Sequence, residues 1–314
     1  MNKFVRPTLL ATLVVAAFSA QAQYSQNNYG GSYSGSNFSN GNSCESSDGS
    51  RRSESLQVVG LVSDQNKTQR LICFNERNPG EARNLGTVTG LTAGDELIGI
   101  DFRVQDKKLY GVGKAGGIYI LDTTSAIANP VGKLTEALEG DSFGVDFNPA
   151  ADRLRIVSDK GQNLRHNVNP GGTTTVDDPL DYPLATPVNS KGPIALGVAG
   201  SAYTNNDLDD STATTLYALD TVLDQVAVQS PPNDGTLAAT GKLGVDVNTT
   251  VGFDIYSTVR NNVTVNVQAL ASLQIGSGSL SLYSVSLPTG KATLRGSFSS
   301  QNKVIDIAIP LNQL

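Results

Sequence analysis

Four stretches of this 314-residue chain repeat one another: LIGIDF at 97–102, FGVDF at 143–147, VGFDI at 251–255 and VIDIA at 304–308. Each is a short apolar run carrying one aspartate, and the first three also carry a glycine two residues before it. Runs of this kind read as buried strands. A degenerate copy, LGVA at 196–199, keeps the glycine and lacks the carboxylate. With the Asp or its equivalent as marker, the positions are 101, 146, 199, 254 and 306, spaced 45, 53, 55 and 52 residues apart. A period of that length marks a repeat architecture and takes precedence over any local reading.

Between markers the same order of runs recurs. LYGV (109–112), GIYILD (117–122) and PVGKL (130–134) follow the first; RLRIV (153–157), NLRH (163–166) and TTTV (173–176) follow the second. Later units supply TLYAL (215–219) with ATGKL (239–243), and LSLYSV (280–285) with ATLRG (292–296). Every run is four to six residues of mainly β-branched, aliphatic or aromatic character, bounded by Gly, Pro, Asn or Asp. No window has the period of an amphipathic helix. Four short strands per unit of this length is the arithmetic of a β-propeller blade, and about five blades fit the chain. The segment before residue 97 holds only three strands, near 56–62, 70–74 and 83–88. The missing innermost strand is then 304–309, arriving from the C-terminus and leaving no open sheet edge. The alternatives are a β-sandwich pair or a solenoid; a sandwich would not explain the recurring Gly-x-Asp strand.

Composition narrows the chemistry. There are 23 basic and 29 acidic residues, a single histidine, two cysteines and no tryptophan. A net charge of −6 without clustered Lys or Arg argues against nucleic acid as a partner. One His and two Cys cannot build a zinc site or an iron–sulfur cluster. Residues 1–22 have the form of a secretory signal: Lys3 and Arg6, an apolar run from Leu9 to Phe18, and a small-residue cleavage pattern at Ala20–Ala22. No later stretch is long and apolar enough for a transmembrane segment. The mature chain is therefore expected in the periplasm or secreted outside the cell.

Residues 23–55 form a Gln/Asn/Ser/Gly/Tyr-rich tail, and 56–314 form the propeller domain. The part of the tail at 23–43 has no aliphatic residue and no charge, so it reads as a linker or as a self-associating segment through Tyr24, Tyr29, Tyr33 and Phe38. Cys44 and Cys73 are expected to form one disulfide in an oxidising compartment.

The stretches LIGIDFR, FGVDFNPAADRLRIVSDKGQNLRHN, GSAYTNN, SPPNDGTL and VGFDI resemble a bacterial family of exported proteins known only as a domain of unknown function, DUF4394. The likeness runs through most of residues 56–310. It implies a propeller-like all-β body and no established activity, and it carries over no catalytic residue.

Two groups of residues are candidates for function. Asp101, Asp146, Asp254 and Asp306 recur at one position, so they are expected to ring the axis. There they either lock neighbouring blades by accepting backbone amides or hold a hard cation such as Ca²⁺. The unit from 143 is a polar outlier: Arg153, Arg155, Asn163, Arg165 and His166 stand where other units keep apolar residues. Ligand contacts and ordinary pairing with Asp152, Asp159 or Asp181 are the alternatives for its arginines, and His166 reads as a surface histidine. Tyr203 opens a turn, YTNN at 203–206, that is a further ligand candidate. The functional expectation is a non-catalytic binding protein for a small molecule, a glycan or a surface protein. The alternative is a carboxylate- or Ca-dependent hydrolase of glycosidase or lactonase type using the central Asp ring.

Overall fold

The computed structural model describes residues 55–185, 190–209, 212–311 and 313. The signal segment, the tail before Ser55 and Cys44 lie outside the described residues. The chain folds into five four-stranded antiparallel sheets. β1 (Gln57–Ser63), β2 (Gln69–Asn75) and β3 (Asn78–Thr87) form the first sheet and are completed by β20 (Val304–Ala308). The second sheet is β4 (Leu97–Phe102), β5 (Leu109–Gly113), β6 (Gly117–Leu121) and β7 (Ala128–Lys133). The third is β8 (Phe143–Asn148), β9 (Arg153–Ser158), β10 (Asn163–His166) and β11 (Thr174–Val176). The fourth is β12 (Val198–Tyr203), β13 (Leu216–Asp220), β14 (Gln225–Gln229) and β15 (Leu237–Lys242). The fifth is β16 (Val247–Arg260), β17 (Val263–Ile275), β18 (Ser281–Val285) and β19 (Ala292–Ser297).

The inner strands β4, β8, β12, β16 and β20 touch in that order and return to β4, which closes a five-bladed propeller. Closure runs through β20, whose Ile307 pairs with Gly60 and Ala308 with Val59. Among the described residues no helix is long and apolar enough to cross a membrane.

Apolar side chains fill the spaces between blades. Val145, Phe147, Leu154 and Ile156 of the third blade pack with Tyr110, Val112 and Ile118 of the second. Val251, Phe253 and Ile255 of the fifth pack with Ala199, Ala202 and Leu219 of the fourth. Inner strands approach closely at one row of glycines. A Cβ on Gly144 would stand 2.5 Å from the Ser201 backbone nitrogen, and one on Gly252 2.6 Å from the Cα of Asp306. Gly99 and Gly200 belong to the same row, facing Val145 and Phe253.

Candidate functional site

This glycine row corrects the sequence alignment of the repeats. Its members are Gly99, Gly144, Gly200, Gly252 and, in the closing strand, Asp306. The position two residues on is occupied by Asp101, Asp146, Ala202, Asp254 and Ala308. Asp306 therefore stands at the glycine position rather than the aspartate position, and Ala202 rather than Ala199 replaces the carboxylate in the fourth blade. In the fourth blade the glycine of the row is Gly200, not the Gly197 of the LGVA run, and the closing strand has Asp306 in place of a glycine.

Three carboxylates then serve five backbone amides around the axis. Asp101 Oδ2 accepts from Phe147 N at 2.7 Å, Asp146 Oδ1 from Tyr203 N at 2.9 Å, and Asp254 Oδ2 from Ile309 N at 2.6 Å. Each of these bonds reaches from one inner strand to the next. The two remaining amides follow blades that carry alanine, and the local aspartate takes them instead. Phe102 N donates to Asp101 Oδ1 at 2.7 Å, and Ile255 N to Asp254 Oδ1 at 2.5 Å. Asp306 bridges independently, accepting from Ile100 N at 2.7 Å. A carboxylate has two acceptor oxygens held apart on one carbon, so one side chain can serve amides of two strands.

All four aspartates are buried. Burial pushes the Asp101, Asp146 and Asp306 carboxyls well above the usual range, with the charges of neighbouring aspartates adding to it. Burial alone raises Asp254 to about 6 against its amide bonds. Oxygens of Asp101, Asp146 and Asp254 lie within 4.8 Å of one another, which is a spacing that could hold a metal ion. Asp306 falls outside that trio.

The arginines of the third blade form a second cluster. Arg155 and Arg165 are direct cross-strand partners on β9 and β10, a like-charge pair that needs a counter-ion. Asp177, from the loop after β11, supplies it. Its Oδ2 accepts from Arg155 at 2.6 Å and its Oδ1 from Arg165 Nε at 2.9 Å. None of the expected partners, Asp152, Asp159 and Asp181, pairs with either arginine. Asp152 instead binds both Nε and Nη2 of Arg103 across the second and third blades. The Arg155 side chain is 3% exposed and also donates to Asn163 Oδ1, Asn233 Oδ1 and the Tyr203 hydroxyl.

Asn163 is fully used, since its amide donates to the carbonyls of Asp178 and Pro232. Tyr203 is a buried strand residue rather than a turn residue. His166 is buried rather than on the surface; its Nδ1 lies 3.0 Å from Thr174 Oγ1, and burial pushes the imidazole below its ordinary pKa. Arg153 is half-buried and donates to the carbonyls of Ala151 and Asp152. Arg165 is the more open of the two arginines, with a side chain 36% exposed against 3% for Arg155. Only its Nε is engaged among the described residues. In the sequence, Asp177-Asp178 reads as solvated loop charge and Pro231–Gly235 as a turn that is a secondary ligand candidate; instead the Asp177 side chain is buried between the two arginines, and Asn233, in the short 3-10 turn Pro232–Asp234, accepts from Arg155. Cys73 is buried on β2, its sulfur 3.8 Å from Gln57 Oε1.

The geometry defines a five-bladed propeller with a carboxylate-latched axis and an arginine-rich third blade. The chain belongs to the family described as domain of unknown function (DUF4394), whose profile matches residues 70–308. No curated protein matches it. Among solved structures, TolB from Acinetobacter baumannii is 11% identical with a TM-score of 0.38, over 82% of this chain and 67% of that one. A protein of unknown function from Bacteroides thetaiotaomicron is 13% identical with a TM-score of 0.45, over 81% and 64%. An auxiliary nutrient binding protein from the same organism is 14% identical with a TM-score of 0.34, over 67% and 52%. The chain thus spans about half to two-thirds of the length of these structures.

Proposed function

We propose that the protein is an exported, non-catalytic binding protein, periplasmic or extracellular, that takes an anionic small molecule or acidic glycan at the third blade. The observation that carries this reading is the Arg155–Asp177–Arg165 arrangement: two guanidinium groups share one carboxylate, and the outer one is 36% exposed with only its Nε engaged among the described residues. A guanidinium held at Nε keeps a rigid, planar fork for a carboxylate, sulfate or phosphate oxygen pair. The inner arginine, Asn163 and Tyr203 then act as its support rather than as ligand contacts. Titration of the mature protein with a panel of acidic and neutral glycans, read by calorimetry, tests it. Binding of acidic members that is lost in Arg165→Ala supports the reading; equal binding by Arg165→Ala removes this site.

A cation at the axis is a second reading, favoured by the mutual spacing of Asp101, Asp146 and Asp254. Five of their six oxygens already accept backbone amides, so a Ca²⁺ there would use remaining lone pairs and lower the raised carboxyl pKa values. This is the arrangement a metal-dependent hydrolase would need. A rise in melting temperature with Ca²⁺ that disappears in Asp146→Asn would favour it.

A further inference from the structure

One face of the third blade carries more arginine than its carboxylates balance. Arg153 and Arg155 alternate along β9 and so face the same way, and Arg165 stands directly opposite Arg155 on β10. All three therefore lie on the face toward the fourth blade, where Arg155 meets Tyr203 and Asn233. Thr175, opposite Arg165 on β11, continues the row. Asp177 serves two of these arginines. Among the described residues no carboxylate pairs with Arg153, whose Nη1 donates to the carbonyls of Ala151 and Asp152.

The neighbouring acids are engaged elsewhere. Asp152 grips Arg103 through both oxygens, and Asp178 pairs with Lys191, which also feels the charge of Asp234. Asp146, opposite Arg155 on β8, accepts from Tyr203 N at the axis. From Lys160 to Val176 the chain has no acidic residue, although the protein carries −6 overall. The open part of this face thus holds positive charge on two separate heads, Arg165 and the half-buried Arg153. They occupy diagonal positions across β9 and β10, where backbones stand about 7–8 Å apart. Arg153 folds toward the start of β9, away from the row of Arg165. Exposed Thr173 and Thr175 stand beside them on the outer edge of the blade.

We propose that this face takes an acidic oligosaccharide rather than a single acid, with Arg165 on the anionic group of one sugar unit and Arg153 on that of another. Arg153 is thereby a second anchor for the Arg165 site given above, on which this reading rests. One small anion cannot span two heads that lean apart, whereas a chain of uronate units repeats its carboxylate and reaches both. The hydroxyls of Thr173 and Thr175 suit the sugar hydroxyls beside those carboxylates. Among the described residues no aromatic residue is exposed, so the face offers no stacking platform for a neutral sugar, and charge selects the ligand. Once one unit is held, the second contact is intramolecular, so affinity rises with chain length.

Calorimetric titration of the mature protein with galacturonic acid and with its linear trimer, at one ionic strength, tests this. The trimer should bind about tenfold or more tighter than the monomer, beyond the roughly threefold that three equivalent units give by statistics. In Arg153→Ala the ratio should fall to about that statistical value. Arg153→Lys keeps the charge and should restore most of the ratio, which separates loss of the anchor from loss of the bonds to Ala151 and Asp152. Arg260→Ala removes an equal charge from the fifth blade and should leave the ratio at its native value. A native ratio no better than statistical, or a ratio unchanged in Arg153→Ala, would overturn the second anchor while leaving the Arg165 site standing. A ratio lost equally in Arg260→Ala would overturn it too, because net charge and not this face would then set the gain. Binding of neither sugar would remove both the anchor and the site beneath it.

Discussion

Arg155 and Arg165 share a carboxylate, yet they stand in different solvents. Arg155 is enclosed by Asp177, Asn163, Asn233 and Tyr203. Arg155→Ala empties a buried position and takes one donor each from Asp177, Asn163 and Tyr203, and should cost ~3 kcal/mol. For a body of this size that lowers the melting temperature by about 6–12 °C. Arg165→Ala removes a half-exposed pair worth at most ~1 kcal/mol, so its melting temperature should fall by no more than about 4 °C. Scanning calorimetry on both variants checks the contrast; similar losses would show that the outer arginine is structural too. Gly144 answers a different question at the same scale. Gly144→Ala drives a methyl to 2.5 Å from the Ser201 nitrogen, against backbone that cannot swing aside. A loss of ~2–3 kcal/mol in urea unfolding is expected. The recurring aspartates were legible in the sequence as ring or lock. Their donors were not, because VIDIA at 304–308 lacks the glycine that would show Asp306 to stand in the glycine row. Asp177 was hidden for another reason: a loop residue has no periodicity to betray its target.

Strand count, strand order and closure were readable because each rests on period and boundary residues. The expected closing strand at 304–309 is observed as β20 at Val304–Ala308, paired to β1. Ending the chain after Lys303 removes that strand with Asp306, takes away Ile309 N as partner of Asp254, and exposes the inner edges of β1 and β4. The truncated protein should show no cooperative melting transition by circular dichroism; a native-like transition would mean that closure is dispensable. The β16–β17 extension was not legible from the repeat. A template drawn from shorter blades ends the inner strand at Ile255, and the alternating valines after Asn261 and Asn262 carry a hairpin signal that belongs to this blade alone.

At the scale of the whole molecule, the axis concentrates four buried carboxylates that close the ring through backbone amides. Their folded pKa values lie above the unfolded value, so the native state binds more protons than the unfolded chain. Such groups contribute full stability below their unfolded pKa of about 4 and lose it as pH rises through the folded values. For Asp254 that window ends near pH 6, and Asp101, Asp146 and Asp306, raised by burial, act in the same direction. Asp152 titrates in the opposite sense. Its bidentate bond with Arg103 lowers its pKa, so its contribution is present above pH 4 and is lost as pH falls further. The melting temperature should therefore peak near pH 4–5 and decline toward pH 8. Asp146→Asn separates charge from hydrogen bonding. An asparagine oxygen can still accept from Tyr203 N, the amide bonded by Asp146 Oδ1, while the charge facing Asp101 and Asp254 is gone. This variant should melt higher than the native protein at pH 8, match it near pH 4.5, and show a flatter profile between them. An unchanged slope would mean that the axial carboxylates are not the groups that set the pH response of the ring.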